Sequence, residues 1–142
     1  MTWGGSSAAP NSFGGVRMAT RCVIGRKLED GKIEAIYCHF DGYPRHTGTL
    51  LVGKYNTQEK VKGLLKLGDI SILRGNLSET IAYRRDHGRN WEDVAPKTFE
   101  SFEEFCDWGC SVYAEFVYLF DEEGWHCFDS QGYEIKLEKY IE

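Results

Sequence analysis

The sequence predicts an α+β domain in which an antiparallel sheet, an N-terminal hairpin plus a C-terminal meander, packs with two or three short helices. Three observations carry this expectation. Asp30-Gly31 sits between two β-branched and aromatic runs, two capping boxes open amphipathic stretches, and residues 112–137 alternate between apolar and polar positions with turn residues between the runs.

Residues 1–17 are rich in Gly and Ser, show no hydrophobic period and stop just before Met18, the pattern of a flexible leader or tail, or of an upstream start. The single domain is therefore expected over residues 18–142. Residues 20–27 and 32–40 read as strands, and Asp30-Gly31 between them is a tight hairpin signal, because glycine reaches positive φ without steric cost. The second strand has to end at Asp41-Gly42-Tyr43-Pro44, since proline fixes its own φ and has no N–H to give a ladder. A short helix is expected over residues 47–55. Asn56-x-x-Glu59 then makes a capping box for a helix carrying Val61, Leu64 and Leu65 on one face, with Gly68 as its stop. Residues 69–78 give an ambiguous pattern, residues 80–85 read as a strand and residues 86–96 as an exposed loop. Ser101-x-x-Glu104 is the second capping box; Phe102, Phe105 and Cys106 share a face of its helix, and Gly109 is the expected stop. Residues 112–120, 125–128 and 133–137 read as the strands of the meander, separated by Asp121-Glu122-Glu123-Gly124 and Asp129-Ser130-Gln131-Gly132.

A chain of 142 residues can bury one core without disulfides or metals to hold it, and core demand accounts for most of its 14% aromatic residues. The five cysteines are odd in number and irregularly spaced, and no basic start leads into an apolar run of signal-peptide or membrane-span length. Reduced thiols, a cytoplasmic location and no membrane partner are expected. The net charge of -5 is unevenly distributed: residues 1–90 carry 14 Lys+Arg against 8 Asp+Glu, and residues 91–142 carry 3 against 14. A fold that keeps these halves apart has a basic and an acidic face, able to steer charged partners, although the chain is too acidic to suit general duplex DNA binding.

The first polar constellation is His39-Phe40-Asp41-Gly42-Tyr43-Pro44-Arg45-His46, where a strand exits into a turn and a helix start. His39, Asp41, Tyr43, Arg45 and His46 are candidate ligand contacts, because N–H groups at a helix start and cationic side chains favour phosphate or carboxylate. The same residues also suit a purely structural turn, with Tyr43 and Pro44 over the core. The second constellation is Tyr83-Arg84-Arg85-Asp86-His87-Gly88-Arg89. Arg84, Arg85 and Arg89 are forks for phosphate and Tyr83 is a stacking surface, so the group fits a nucleotide; strand alternation sets Arg84 and Asp86 on one face and Tyr83 and Arg85 on the other. A solvated edge strand and loop is the structural alternative.

Cys106, Cys110, His126 and Cys127 bring at most three ligands together, since strand neighbours His126 and Cys127 point to opposite faces, and no metal or other cofactor is called for. The acidic run Asp121-Glu122-Glu123 suits a turn or a divalent cation. GxSxG, HExxH, the P-loop and GxGxxG are all missing from the sequence. His39 and Asp41, two apart on one strand face, are the one acid–base pair on offer.

Met18-Ala-Thr-Arg21, Gly31-Lys32-Ile33, Ile36-Tyr37-Cys38-His39-Phe40-Asp41-Gly42-Tyr43-Pro44, Gly48, Leu50, Tyr55, Leu67-Gly68-Asp69 and Tyr118-Leu119-Phe120 resemble a family of short, uncharacterised bacteriophage and prophage proteins, from Met18 to about Tyr133. The strand ending in His-aromatic-Asp-Gly-Tyr-Pro is its most specific piece. The resemblance implies a viral accessory protein in the host bacterial cytosol, and by analogy counter-defence. Three functions are expected in this order: a non-enzymatic protein that binds and inhibits a host protein, a sponge for a nucleotide-like small molecule, and an enzyme cleaving it with His39 and Asp41. A shared site requires the two basic constellations to meet at one end of the domain.

Overall fold

The hairpin forms where its turn residues require it. The structure, a computed structural model, describes residues 19–140, and the leader expected at residues 1–17 lies outside them. β1 (Cys22–Lys27) and β2 (Ile33–Phe40) pair antiparallel from Cys22↔Cys38 to Lys27↔Ile33, and Gly31 takes φ 91° in the turn. After β2 a wide π-helical turn, Pro44–Gly48, runs into α1 (Thr49–Lys54). α2 (Gln58–Leu65) follows, then β3 (Ile70–Ile72), β4 (Ile81–Ala82), α3 (Tyr83–His87), α4 (Trp91–Val94) and β5 (Lys97–Phe99). The chain closes with α5 (Phe102–Ser111), β6 (Phe116–Asp121), β7 (Gly124–Asp129), β8 (Glu134–Ile135) and a 3-10 turn, Leu137–Tyr140.

The fold is α+β. Eight strands among the described residues form one sheet in the order β4-β3-β2-β1-β6-β7-β8, with β5 also paired to β2. Most pairs are antiparallel; β1–β6 and β2–β3 are parallel. Inserting β6 beside β1 joins the N-terminal hairpin to the C-terminal meander. Helices cover both faces. On one, Leu51 of α1 and Val61, Leu64 and Leu65 of α2 pack on Ile24, Ile36 and Tyr118; on the other, Phe105 of α5 packs on Val23, Ala35 and Val117. Hydrophobic burial from two sides is the main driving force here, and it explains why Val117, Tyr118, Leu119 and Phe120 are all buried in succession where a one-sided meander would alternate. No helix among the described residues is long and apolar enough to cross a membrane.

Several local expectations change. The cap of α2 is Thr57, not Asn56: Thr57 holds extended backbone and its Oγ1 accepts the Lys60 N–H at 3.2 Å. Ser101 caps α5 as expected, accepting the Glu104 N–H at 3.2 Å, but the Glu104 carboxylate reaches the N–H of Glu100 and not that of Ser101. Gly109 lies inside α5, packed against Val23, and the reversal comes at Tyr113, in the left-handed region at φ 65°. The strand expected over residues 80–85 is confined to Ile81–Ala82, because Asp86 Oδ2 accepts the Ala82 N–H at 2.7 Å and closes a helical turn that Gly88 ends at φ 69°. Strand alternation therefore does not separate Arg84 from Tyr83 and Arg85. The loop expected over residues 86–96 contains α4, and residues 97–99 add the edge strand β5.

The charge halves are partly segregated. The sheet order sets α3, with Arg84 and Arg85, at one edge and the acidic β7–β8 region at the other, while Lys27–Glu122 at 4.0 Å and Lys32–Glu100 at 3.7 Å tie the halves together near the hairpin end.

Candidate functional site

Residues 39–46 divide between the two faces of the sheet. Asp41 takes the left-handed conformation at φ 57°, and its carbonyl accepts the Thr47 hydroxyl at 2.8 Å. Gly42 is buried against Cys22, where an added Cβ would lie 2.8 Å from the Cys22 Cβ, and its carbonyl accepts the Tyr118 hydroxyl at 2.7 Å. Asp41 and Gly42 thus turn the chain onto the α1–α2 side. Arg45 and His46 follow it there: the Arg45 guanidinium lies 5.5 Å from the Tyr140 ring, and His46 Nε2 donates to the Leu73 carbonyl at 2.8 Å. Tyr43 is exposed, 6.2 Å from the His46 ring.

His39 stays on the α5 side, in line with Tyr37, and it is Tyr37 that comes near the second constellation, at Tyr83. The register places Cys38 beside Ile70 and Ile70 beside Ala82, so Tyr37, Asp69 and Tyr83 come level on neighbouring strands. Asp69 links them: its Oδ1 accepts the Tyr37 N–H at 2.9 Å, its carbonyl accepts the Tyr83 N–H at 3.2 Å, and its own N–H donates to Val94 at 2.8 Å. The Arg89 guanidinium stands 5.7 Å from the Tyr83 ring, and the Lys97 ammonium 5.6 Å from the Trp108 ring. Arg84 is exposed. Arg85 is committed to the fold, donating to the carbonyls of Leu77 and Thr80 and pairing with Asp86.

Arg21 completes the group. It lies one step beyond the last hairpin pair, Cys22↔Cys38, which sets it across from His39. Its guanidinium is 5.7 Å from the Tyr113 ring, and its Nε is buried with no hydrogen-bond partner among the described residues. A buried donor left unpaired is costly, so this atom is a point where an acceptor from outside would be favoured.

The electrostatics set this region apart. Burial pushes the Tyr37 hydroxyl well above its ordinary value, against the pull of Arg21, and burial and Arg21 together hold the His39 imidazolium below its own. The Tyr37 hydroxyl and His39 Nδ1 share a 2.6 Å hydrogen bond whose donor is set by the imidazole tautomer. Burial raises Asp69 to about 6, against the pull of the Tyr37 N–H, Lys97 and Arg89. Tyr83 and Glu115 are also raised, chiefly by burial. Shifts of this kind gathered in one place are a mark of functional sites, and here they surround three cations on one sheet face.

Of the nine residues singled out from the sequence, the structure places His39, Tyr83 and Arg89 on one face, and it sends Arg45 and His46 to the opposite one. Arg21, Tyr37, Asp69 and Lys97 were not foreseen. Tyr37 had a signal, two positions before His39 on the same strand face, and the hairpin register would have added Arg21. The other pair depends on the parallel β2–β3 contact and on β5, which have no local signature.

The remaining constellation resolves differently. Asp121, Glu123 and His126 bring one ligand atom each within 4.8 Å of one another. His126 sits at their centre, with Nε2 2.9 Å from Asp121 and Nδ1 3.3 Å from Glu134, so an imidazolium serves as counter-ion to the carboxylates. Cys127 points into the α1–α2 core, away from Cys106 on α5.

No family model, curated protein or solved structure matches this chain.

Proposed function

We propose that this chain is a non-enzymatic binding protein that holds a nucleotide-like anion on the α5 face of the sheet, at Arg21, Tyr37, His39, Tyr83 and Arg89. The observation that carries the reading is the Arg21 guanidinium, with its Nε buried and without a hydrogen-bond partner among the described residues, beside the Tyr37–His39 pair. A phosphate or carboxylate offers acceptors to the Arg21 fork, and Arg89 adds a second cation. The Tyr83 hydroxyl is a further donor, His39 offers a ring nitrogen, and the Tyr37 and Tyr83 rings suit a planar group.

Binding is favoured over turnover because the hydrogen-bond partner at His39 Nδ1 is a tyrosine of raised pKa and not a carboxylate. The setting belongs to the same proposal: a phage accessory protein that withholds its ligand from a bacterial defence. What supports that setting is the resemblance carried by residues 36–44. Inhibition by direct contact with a host protein is a second reading, favoured by Tyr113, 51% exposed at the border of the site beside Arg21.

Thermal unfolding with mononucleotides and cyclic dinucleotides tests the proposal, with a midpoint that climbs as ligand is added. Chromatography of the denatured complex returns the ligand intact. A midpoint that no nucleotide moves overturns the ligand reading, and a cleaved ligand overturns the non-enzymatic one. A stoichiometric host protein recovered from lysate instead supports the second reading.

A further inference from the structure

The opposite edge of the sheet carries a groove of about 390 Å³, lined by Val52 after the first turn of α1, Trp125 of β7, and Ile135 and Leu137 of the C-terminal segment. Its apolar wall is fixed. Trp125 Nε1 donates to the Tyr55 carbonyl at 2.8 Å, and Leu137 is buried in the larger core cluster. Among the described residues β8 pairs with β7 only at Cys127↔Ile135 and Phe128↔Glu134, and the chain then leaves the strand as a 3-10 turn, so residues 124–126 of β7 face the groove and Lys136–Glu138 across it with no strand paired to them. An unpaired stretch of this kind is a template for an added strand.

The rim is acidic. Glu123, Glu134 and Glu138 line the groove with Lys136 and His126, and His126 is already engaged by Asp121 and Glu134. Residues 91–142 as a whole carry 3 Lys+Arg against 14 Asp+Glu, so the field around the groove is negative beyond its rim. A second copy does not supply the complement: the basic edge of this chain is the helix α3, whose Arg85 is spent within the fold, and its edge strand β4 has two residues.

We propose that this groove docks a basic, extended segment of a partner protein, which adds a short strand along residues 124–126 and alternates an apolar side chain toward Trp125 and Leu137 with Lys or Arg toward Glu123 and Glu138. The groove and the anion site lie at different places on the sheet, so either can fail without the other.

A library of random ten-residue peptides panned on the full chain tests it. The expected survivors alternate apolar residues with Lys or Arg, and a labelled survivor binds at least tenfold more weakly to the Glu123→Lys/Glu138→Lys variant. Both substitutions are at exposed positions, although Glu123 lies 3.8 Å from His126, so binding is compared well below the melting midpoint of either chain; Glu138→Lys alone should show part of the loss, and raised salt weakens the wild-type complex. Survivors without basic enrichment, or equal binding to the variant, overturn the proposal. So does a concentration-dependent dimer of the chain that the variant abolishes, because that assigns the groove to self-association.

Discussion

The Tyr37 hydroxyl and His39 Nδ1 share a 2.6 Å hydrogen bond, two residues apart on the same face of β2. Burial and Arg21 hold the imidazole pKa below its ordinary value, and the bond fixes the orientation of the ring. Tyr37→Phe removes this bond and leaves burial and Arg21 in place, so the His39 titration midpoint should stay below the ordinary value while stability falls by about 0.5–1.5 kcal/mol, the usual net worth of one hydrogen bond. NMR of the imidazole nitrogens checks the first outcome and denaturant unfolding the second. A midpoint that returns to the ordinary value would mean that the hydrogen bond, and not burial with Arg21, sets the titration.

Asp69 gives a stability prediction whose sign is opposite to that of a salt-bridged carboxylate. Burial raises it from 3.8 to about 6, so the folded state binds its proton more tightly than the unfolded state. Its contribution therefore becomes less favourable as pH rises through the window from about 4 to 6, and above 6 the ionised carboxylate is a standing cost. Asp69→Asn keeps an oxygen for the Tyr37 N–H and removes the charge. At pH 7.5 the variant should be more stable than wild type by on the order of 1–2 kcal/mol, reduced for solvent screening at this partly exposed group, and near pH 3.5 the two should converge. Urea unfolding at the two pH values decides it.

Gly68 ends α2 at φ +78°, and a Cβ there would lie 2.5 Å from the Val94 carbonyl oxygen. That carbonyl accepts the Asp69 N–H at 2.8 Å, so it cannot move without loosening the residue that links Tyr37 to Tyr83. Gly68→Ala should destabilise the fold by about 1–3 kcal/mol through backbone strain and the clash together. It should also lower nucleotide affinity. Loss of stability with affinity intact would separate Asp69 from the site.

How far the sequence could be read follows from how local each signal was. Asp30-Gly31, Gly68 and the Ser101 cap act within a few residues, and each shapes the chain as its chemistry requires. Residues 80–85 misled because Ile81, Ala82 and Tyr83 suit a strand, while the carboxylate that reaches back to Ala82 comes from Asp86. The four successive buried residues of β6 depend on helices packing from both sides, and that is decided by tertiary structure. For the site, the segment ending in Asp-Gly-Tyr-Pro was visible as a motif. Its Asp41 and Gly42 turn the chain, and its His39 remains with Tyr37 on the other face.

His126 predicts a pH response at the acidic edge. Burial pulls its pKa down, but the hydrogen bonds to Asp121 and Glu134 outweigh burial, and the net value is raised. The imidazolium clasp thus contributes stability that is fully present below the ordinary value of 6.5 and is lost as pH rises through the folded value. His126→Gln should flatten the decline in melting temperature between pH 6 and pH 8.5. A decline of the same slope in the variant would assign the pH dependence to other groups.

The two faces of the sheet make different predictions for two arginines that the sequence treats alike. Arg89 stands over Tyr83 beside Asp69, whereas Arg45 stands over Tyr140 behind the turn at Asp41 and Gly42. If the anion lies on the α5 face, Arg89→Ala removes a charged hydrogen bond to it and should weaken binding by about 1.5–3 kcal/mol. Arg21→Ala should do the same and also relieve the unpaired buried Nε, so it should leave stability unchanged or slightly raised. Arg45→Ala should alter neither affinity nor stability by more than ~0.5 kcal/mol, as for an exposed surface position. Calorimetric titration of the three variants with one nucleotide distinguishes the cases, since a loss of affinity confined to Arg45→Ala would move the ligand to the α1–α2 face.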